Sequence, residues 1–376
     1  MTHPHPPARS RPSLLETVAG AHVELASPLD TVVQRAVRAA FAGTAGIGSL
    51  ELAGQALAEL VALDATRPGP WFAVGLLRGF EPGAMDQGLL PPTADLAYFH
   101  LLGQLTALVE RGDDDGLAAA ALASEPAVQR LVGSTAARHL AAPVLAALVA
   151  TAPRRVAALL GDVSVVFVGW ERFMAALRRQ GCRLIRSGDL AMAERLLRAG
   201  EDVLEFWAGL EDDLGASMAM ELQQAQLRVL RVTARRSGGD FPGARRLLVA
   251  VPEELLPRDA RADLACEWAL VEAEVGKVGT LDVPRSLPER AALGERLNRG
   301  QAHLDAALEA SPDHALARVL CALGCLCRGD EVGAVHHLGP EQPSPPSGAQ
   351  VGPAARVARA LAGLRLAEPG TDEAGE

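Results

Sequence analysis

The sequence predicts an all-α fold: an α-solenoid of helical hairpins in its second half and a less regular helical region in its first. Three observations carry this expectation. Hydrophobic residues make up 49% of the chain but aromatics only 3%, so Ala and Leu, the best helix formers, supply apolar content that strands would draw from β-branched and aromatic residues. Capping residues recur ahead of apolar-periodic stretches, as at Ser13, Ser27 with Pro28, and Ser49. The third is a repeated turn. Gly188-Asp189, Gly239-Asp240 and Gly329-Asp330 are each followed by Ala five positions after the Gly (Ala193, Ala244, Ala334) and Leu nine after it (Leu197, Leu248, Leu338). In such a turn Gly ends one helix in the left-handed conformation, Asp caps the next, Ala permits close approach and Leu fills the groove.

Residues 1–12 hold four prolines and read as a disordered leader. The caps place helices near 13–25, 28–42 and 49–63. Pro70 opens a short helix to Phe80, the Gly- and Pro-rich stretch from Glu81 to Pro92 reads as a loop, and a longer helix runs from about Thr93 to Glu110. From Gly116 to Val168 only Glu125, Arg130, Arg138, Arg154, Arg155 and Asp162 are charged, in a segment long enough for three helices. Such helices lack full polar faces, so they pack centrally or meet another chain. Within this segment the β-branched run Val163 to Val168 is expected to be a buried helix, since no partner strand is in sight.

The hairpin pattern resembles the tetratricopeptide repeat, a 34-residue helix–turn–helix unit, most clearly over 177–341. Leu304, Ala307 and Pro312 look like the family's late large, Ala and Pro positions. One period on, Cys321, Ala322 and Cys325 take the early positions, and Gly181 and Leu184 do so in an earlier unit. The Gly-Asp pairs at 188 and 239 are not a multiple of 34 apart, and Arg228, Arg231 and Arg235 stand where a strict register wants apolar residues. That hairpin is therefore expected to be longer or shifted. The resemblance implies a right-handed solenoid with a concave surface that docks a peptide or protein segment. The organisation that follows is an N-terminal helical region at 13–168, hairpins over 169–338, a Pro- and Gly-rich linker at 339–353, an amphipathic helix at 354–368 and an acidic tail at 369–376. The tethered helix could cap the solenoid's exposed apolar end or dock elsewhere.

Charge and cysteine usage narrow the function classes. The net charge is −10 and Lys277 is the sole lysine, so the chain lacks the footprint of a nucleic-acid binder. Five cysteines without a CxxC pair argue against a disulfide framework or zinc ribbon and suit a reducing, cytoplasmic setting. Glu16, His22 and Glu24 interrupt any signal-peptide core. The apolar run from Leu140 to Ala152 falls short of the roughly 20 residues that span a bilayer.

No chemistry-bearing motif stands out. Asp113-Asp114-Asp115 and Glu211-Asp212-Asp213 lack the third carboxylate of an aspartate-rich metal motif and read as caps or turns. Cys321, Cys325 and Cys327 with His314, His336 and His337 form the one cluster of soft ligands. Cys321 and Cys325 share a helical face as two ligands could, and equally fall on core positions. Gly276-Lys277 lacks the rest of a phosphate loop. No catalytic residue, cofactor or metal is therefore expected.

Charge patterning remains. Arg179, Arg183 and Arg186, and likewise Arg228, Arg231 and Arg235, each line one helical face, with an acidic block from Glu201 to Glu221 between them. Two readings follow: internal pairing between neighbouring helices, or a basic groove for an acidic partner segment built from both trios. The function expected is thus a protein-interaction module. The alternative is a structural or regulatory subunit that self-associates through 116–168, with a helical enzyme of unknown type as the residual reading.

Overall fold

The computed structural model describes residues 47–338 and Ala39, apart from 85–87, 136, 164, 212, 277–283 and 285. The leader, the helices expected at 13–25 and 28–42, the linker, the C-terminal helix and the acidic tail lie outside the described residues. Within them the chain is all-α, with sixteen α-helices and no strand. It divides into two compact units, the first ending at Gln180 and the second beginning at Gly181. No helix among the described residues is long and apolar enough to cross a membrane.

The first unit holds α1 (Ile47–Leu63), α2 (Pro68–Phe80), α3 (Ala94–Arg111), α4 (Asp114–Ala123), α5 (Glu125–Val132), α6 (Arg138–Thr151), α7 (Pro153–Leu159) and the start of α8 (Trp170–Ser187). Ser49 lies inside α1 rather than capping it, because the helix already includes Ile47. Pro68 supplies the fixed φ that starts α2 two residues earlier than expected. Thr93 caps α3 by accepting from the Leu96 amide at 3.3 Å, and Gly112, at φ +66°, ends it. The α2–α3 crossing is a contact of backbones. A Cβ at Gly103 would lie 1.9 Å from the Phe72 carbonyl oxygen, and one at Gly75 would lie 1.9 Å from that of His100.

The 116–168 segment forms α4 to α7 and a 3-10 turn at Leu160–Asp162, one helix more than expected. Its apolar side chains are spent inside this unit: Leu117, Val128, Leu131, Leu140, Leu145 and Val156 are almost fully buried, and among its large apolar residues Leu122 and Val168 are exposed. The run Val163 to Val168 is corrected. Its described residues are neither helix nor strand, because β-branched side chains weaken a helix there and Gly169, at φ +72°, turns the chain before α8. Val163 and Phe167 anchor it, at 8% and 1% exposure.

The second unit contains the rest of α8, then α9 (Leu190–Ala208), α10 (Leu214–Ser237), α11 (Phe241–Val249), α12 (Arg258–Glu272), α13 (Leu287–Arg299), α14 (Gln301–Ala310), α15 (Ala315–Cys327) and α16 (Glu331–Leu338). All three Gly-Asp turns have the expected geometry. Gly188, Gly239 and Gly329 take φ of +84°, +82° and +78°. Asp189, Asp240 and Asp330 then accept from the amides of Met192, Gly243 and Gly333. Ala193, Ala244 and Ala334 are completely buried.

Packing in this unit is consistent with a helical-repeat arrangement. α9 lies along α10, α10 along α11, α12 along α14, α13 against α15, and α15 against α16. Gly181 lets α8 approach α9 closely, since a Cβ there would sit 2.7 Å from Leu197 Cδ2. One core joins Cys266 and Leu270 of α12, Leu297, Leu304, Leu320, Cys321 and Ala334. A second joins Ala225, Val232, Leu248, Leu264 and Val271. The spacing of the first two turns has a plain cause: a 19-residue α9 and a 24-residue α10 fill the interval.

Candidate functional site

The two arginine trios have different fates. Arg179, Arg183 and Arg186 lie on one face of α8, all exposed, and none has an ion-pair partner among the described residues. Arg228, Arg231 and Arg235 of α10 turn onto α9. Arg231 reaches Glu194 at 2.7 Å and Glu201 at 2.9 Å, Arg228 reaches Glu201 at 3.4 Å, and Arg235 reaches Glu194 at 2.9 Å and Asp240 at 3.1 Å. Arg228 also donates to the Ala250 carbonyl. The second trio is therefore engaged in the internal pairing that its alternative reading described, although the main partner Glu194 lies outside the acidic block.

Burial gives this network its electrostatic character. Arg231 is 7% and Glu201 4% exposed. At Glu201 burial dominates and raises the carboxyl above its ordinary value against the pull of Arg231 and Arg228. Its Oε1 has no hydrogen-bond partner in the structure. At Glu194 burial pushes the same way, but hydrogen bonds from Arg231 and Arg235 and their charges outweigh it and lower the carboxyl. Burial likewise opposes the charge on Arg231, and Glu194 and Glu201 together hold it more firmly protonated. Such a cluster fixes α9 to α10, and removing one member strands the others.

A second arrangement was not foreseen. Cys266 Sγ lies 3.5 Å from His314 Nδ1, and His314 Nε2 lies 3.0 Å from Asp263 Oδ1. The connectivity is that of a nucleophile, base and orienting acid. Its poise is not. His314 Nδ1 accepts from the Ala317 amide at 3.3 Å, capping α15, so Nε2 carries the proton and faces Asp263. Cys266 is completely buried, and burial, aided by the charges of Asp263 and Glu267, pushes its thiol up to about 12. A thiol held there supplies almost no thiolate near neutral pH.

The remaining candidates fall on structural positions. Asp113 caps α4 by accepting from Gly116 at 2.8 Å, and Asp213 caps α10 by accepting from Gly215 at 2.8 Å. Asp114 pairs with Arg172 at 3.2 Å. Cys321 and Cys325 are core residues at 1% and 5% exposure, and burial lifts the Cys321 thiol to about 11. Among the described residues no three His, Cys, Asp or Glu side chains converge as metal ligands. Glu194 could have been found in the sequence: Glu194 and Glu201 stand at i, i+7 on one helix and the α10 trio at i, i+3, i+7 on the next.

No family model matches the chain, and neither a curated protein nor a solved structure shows significant similarity to it.

Proposed function

We propose that this chain is a cytoplasmic, tetratricopeptide-like binding module with right-handed hairpin stacking, and that it docks an acidic peptide segment along α8 through Arg179, Arg183 and Arg186. The observation that carries the reading is the contrast between the trios. The α10 guanidiniums are consumed by Glu194, Glu201 and Asp240, whereas three on α8 stand exposed on one face within about two helical turns. A planar guanidinium fork holds a carboxylate bidentately, so a row of three favours an extended acidic segment over a single anion. The all-helical fold and the capped Gly-Asp hairpins support a scaffolding role. Most large apolar side chains of 116–168 are buried, which favours this reading over self-association through that region.

The test is a fluorescence-anisotropy titration of a labelled glutamate-rich decapeptide with the full chain at low and at physiological salt. Binding that weakens with salt and vanishes in Arg179→Glu/Arg183→Glu/Arg186→Glu supports the reading. Equal binding by that variant rejects it.

A further inference from the structure

The turn between α9 and α10 exposes an apolar surface that the proposed function leaves unused. Of twelve large apolar side chains exposed among the described residues, four flank this turn: Phe206 at 46%, Leu210 at 53%, Leu214 at 75% and Met218 at 49%. Leu214 and Met218 are one helical turn apart on α10. Around them stand Glu205, Glu211 and Asp213, which have no basic partner among the described residues. Between Arg198 and Arg228 the sequence contains no Lys, Arg or His. This end of the hairpin is thus apolar with a one-signed acidic rim. A second copy laid on it about a two-fold axis would set acid against acid.

The complementary pattern occurs once further along the chain. In residues 354–368, Val357, Leu361 and Leu364 fall at i, i+4, i+7, and Arg356, Arg359 and Arg365 accompany them with no acid before Glu368. We infer that segment 354–368 docks on the α9–α10 turn of its own chain, laying Val357, Leu361 and Leu364 on Phe206, Leu210, Leu214 and Met218, with its arginines toward Glu205, Glu211 and Asp213. Reach permits it. Residues 339–353 can span about 50 Å, while a compact unit of this size has a radius of gyration of about 15 Å. Affinity need not be high either, because a tether of that length gives an effective concentration on the order of millimolar. The inference is independent of the α8 arginines.

Hydrogen exchange read by mass spectrometry on the full chain tests it, at two protein concentrations. Amides of 354–368 and of 206–218 should exchange about tenfold more slowly in the wild type than in Leu361→Asp/Leu364→Asp, with the remaining helices unchanged and no dependence on concentration. The reciprocal variant Leu214→Ser/Met218→Ser alters only exposed side chains and should release 354–368 equally. Three results would overturn the inference: an unprotected 354–368 in the wild type, protection of 206–218 that survives the aspartates, or protection that grows with concentration and so reports a second copy.

Discussion

Arg236 of α10 and Glu267 of α12 form a buried bidentate ion pair, Nε to Oε2 at 2.7 Å and Nη2 to Oε1 at 2.9 Å. The remaining valences are used as well: Arg236 Nη1 donates to the carbonyls of Val275 and Gly276, and Thr233 Oγ1 donates to Glu267. Glu267→Ala should therefore cost about 3–5 kcal/mol, since it leaves a guanidinium buried without its counter-charge. Arg236→Met/Glu267→Leu should cost less than the sum of its single changes. Urea unfolding of Glu267→Ala, of the double variant and of its two single changes measures this; additive losses in the double variant would show that the two groups act independently.

Gly103→Ala should be among the most damaging single changes in the first unit. Its methyl would meet the backbone of α2 rather than a side chain able to swing aside, so the helices must separate. The expected loss is several kcal/mol, on the order of 3. Gly112→Ala, at a left-handed cap with open space around it, should lose only about 1 kcal/mol. A thermal melt of Gly103→Ala indistinguishable from wild type would refute the close crossing.

Acid should weaken the first unit through His100. Burial, and then the charge of Arg78, lower its pKa from 6.5 to about 4, and Arg78 Nη1 sits 3.1 Å from its Nε2. The unfolded chain takes up a proton near 6.5, whereas the folded chain refuses it until about 4. The contribution is thus complete above 6.5, is lost as pH falls toward 4, and is on the order of 3 kcal/mol. His100→Gln, which can still accept from Arg78, should flatten stability against pH in that window. An unchanged slope would mean that His100 is not held neutral.

Cys266 and Cys321 should resist thiol reagents in the folded protein and react once it unfolds. Both are buried, with thiols raised to about 12 and about 11. Labelling at neutral pH followed by peptide mapping checks this. Rapid native labelling of Cys266 would instead mean that His314 activates it.

What was legible in the sequence was what local chemistry fixes. Gly188, Gly239 and Gly329 needed a left-handed residue and a cap within three positions, so their turns could be read from adjacent residues. The α2–α3 crossing could not, because Gly75 and Gly103 in isolation read as weak helix positions and acquire meaning only when paired across 28 residues of chain. The run Val163 to Val168 misled for a related reason: its apolar character signalled burial, but of the residues described there Val163 and Phe167 are buried while Val168 is exposed. The arginines of α10 looked identical to those of α8 because ion-pair choice depends on how far α9 and α10 run side by side, a length that the repeat period did not supply.

Parallel urea unfolding of two triple variants separates the roles of the two arginine trios. Arg179→Glu/Arg183→Glu/Arg186→Glu, on an exposed face, should stay within about 1 kcal/mol of wild type. Arg228→Glu/Arg231→Glu/Arg235→Glu sets acids against Glu194 and Glu201 and should lose at least about 4 kcal/mol or fail to fold. Equal losses, or a greater loss from the α8 variant, would contradict the account.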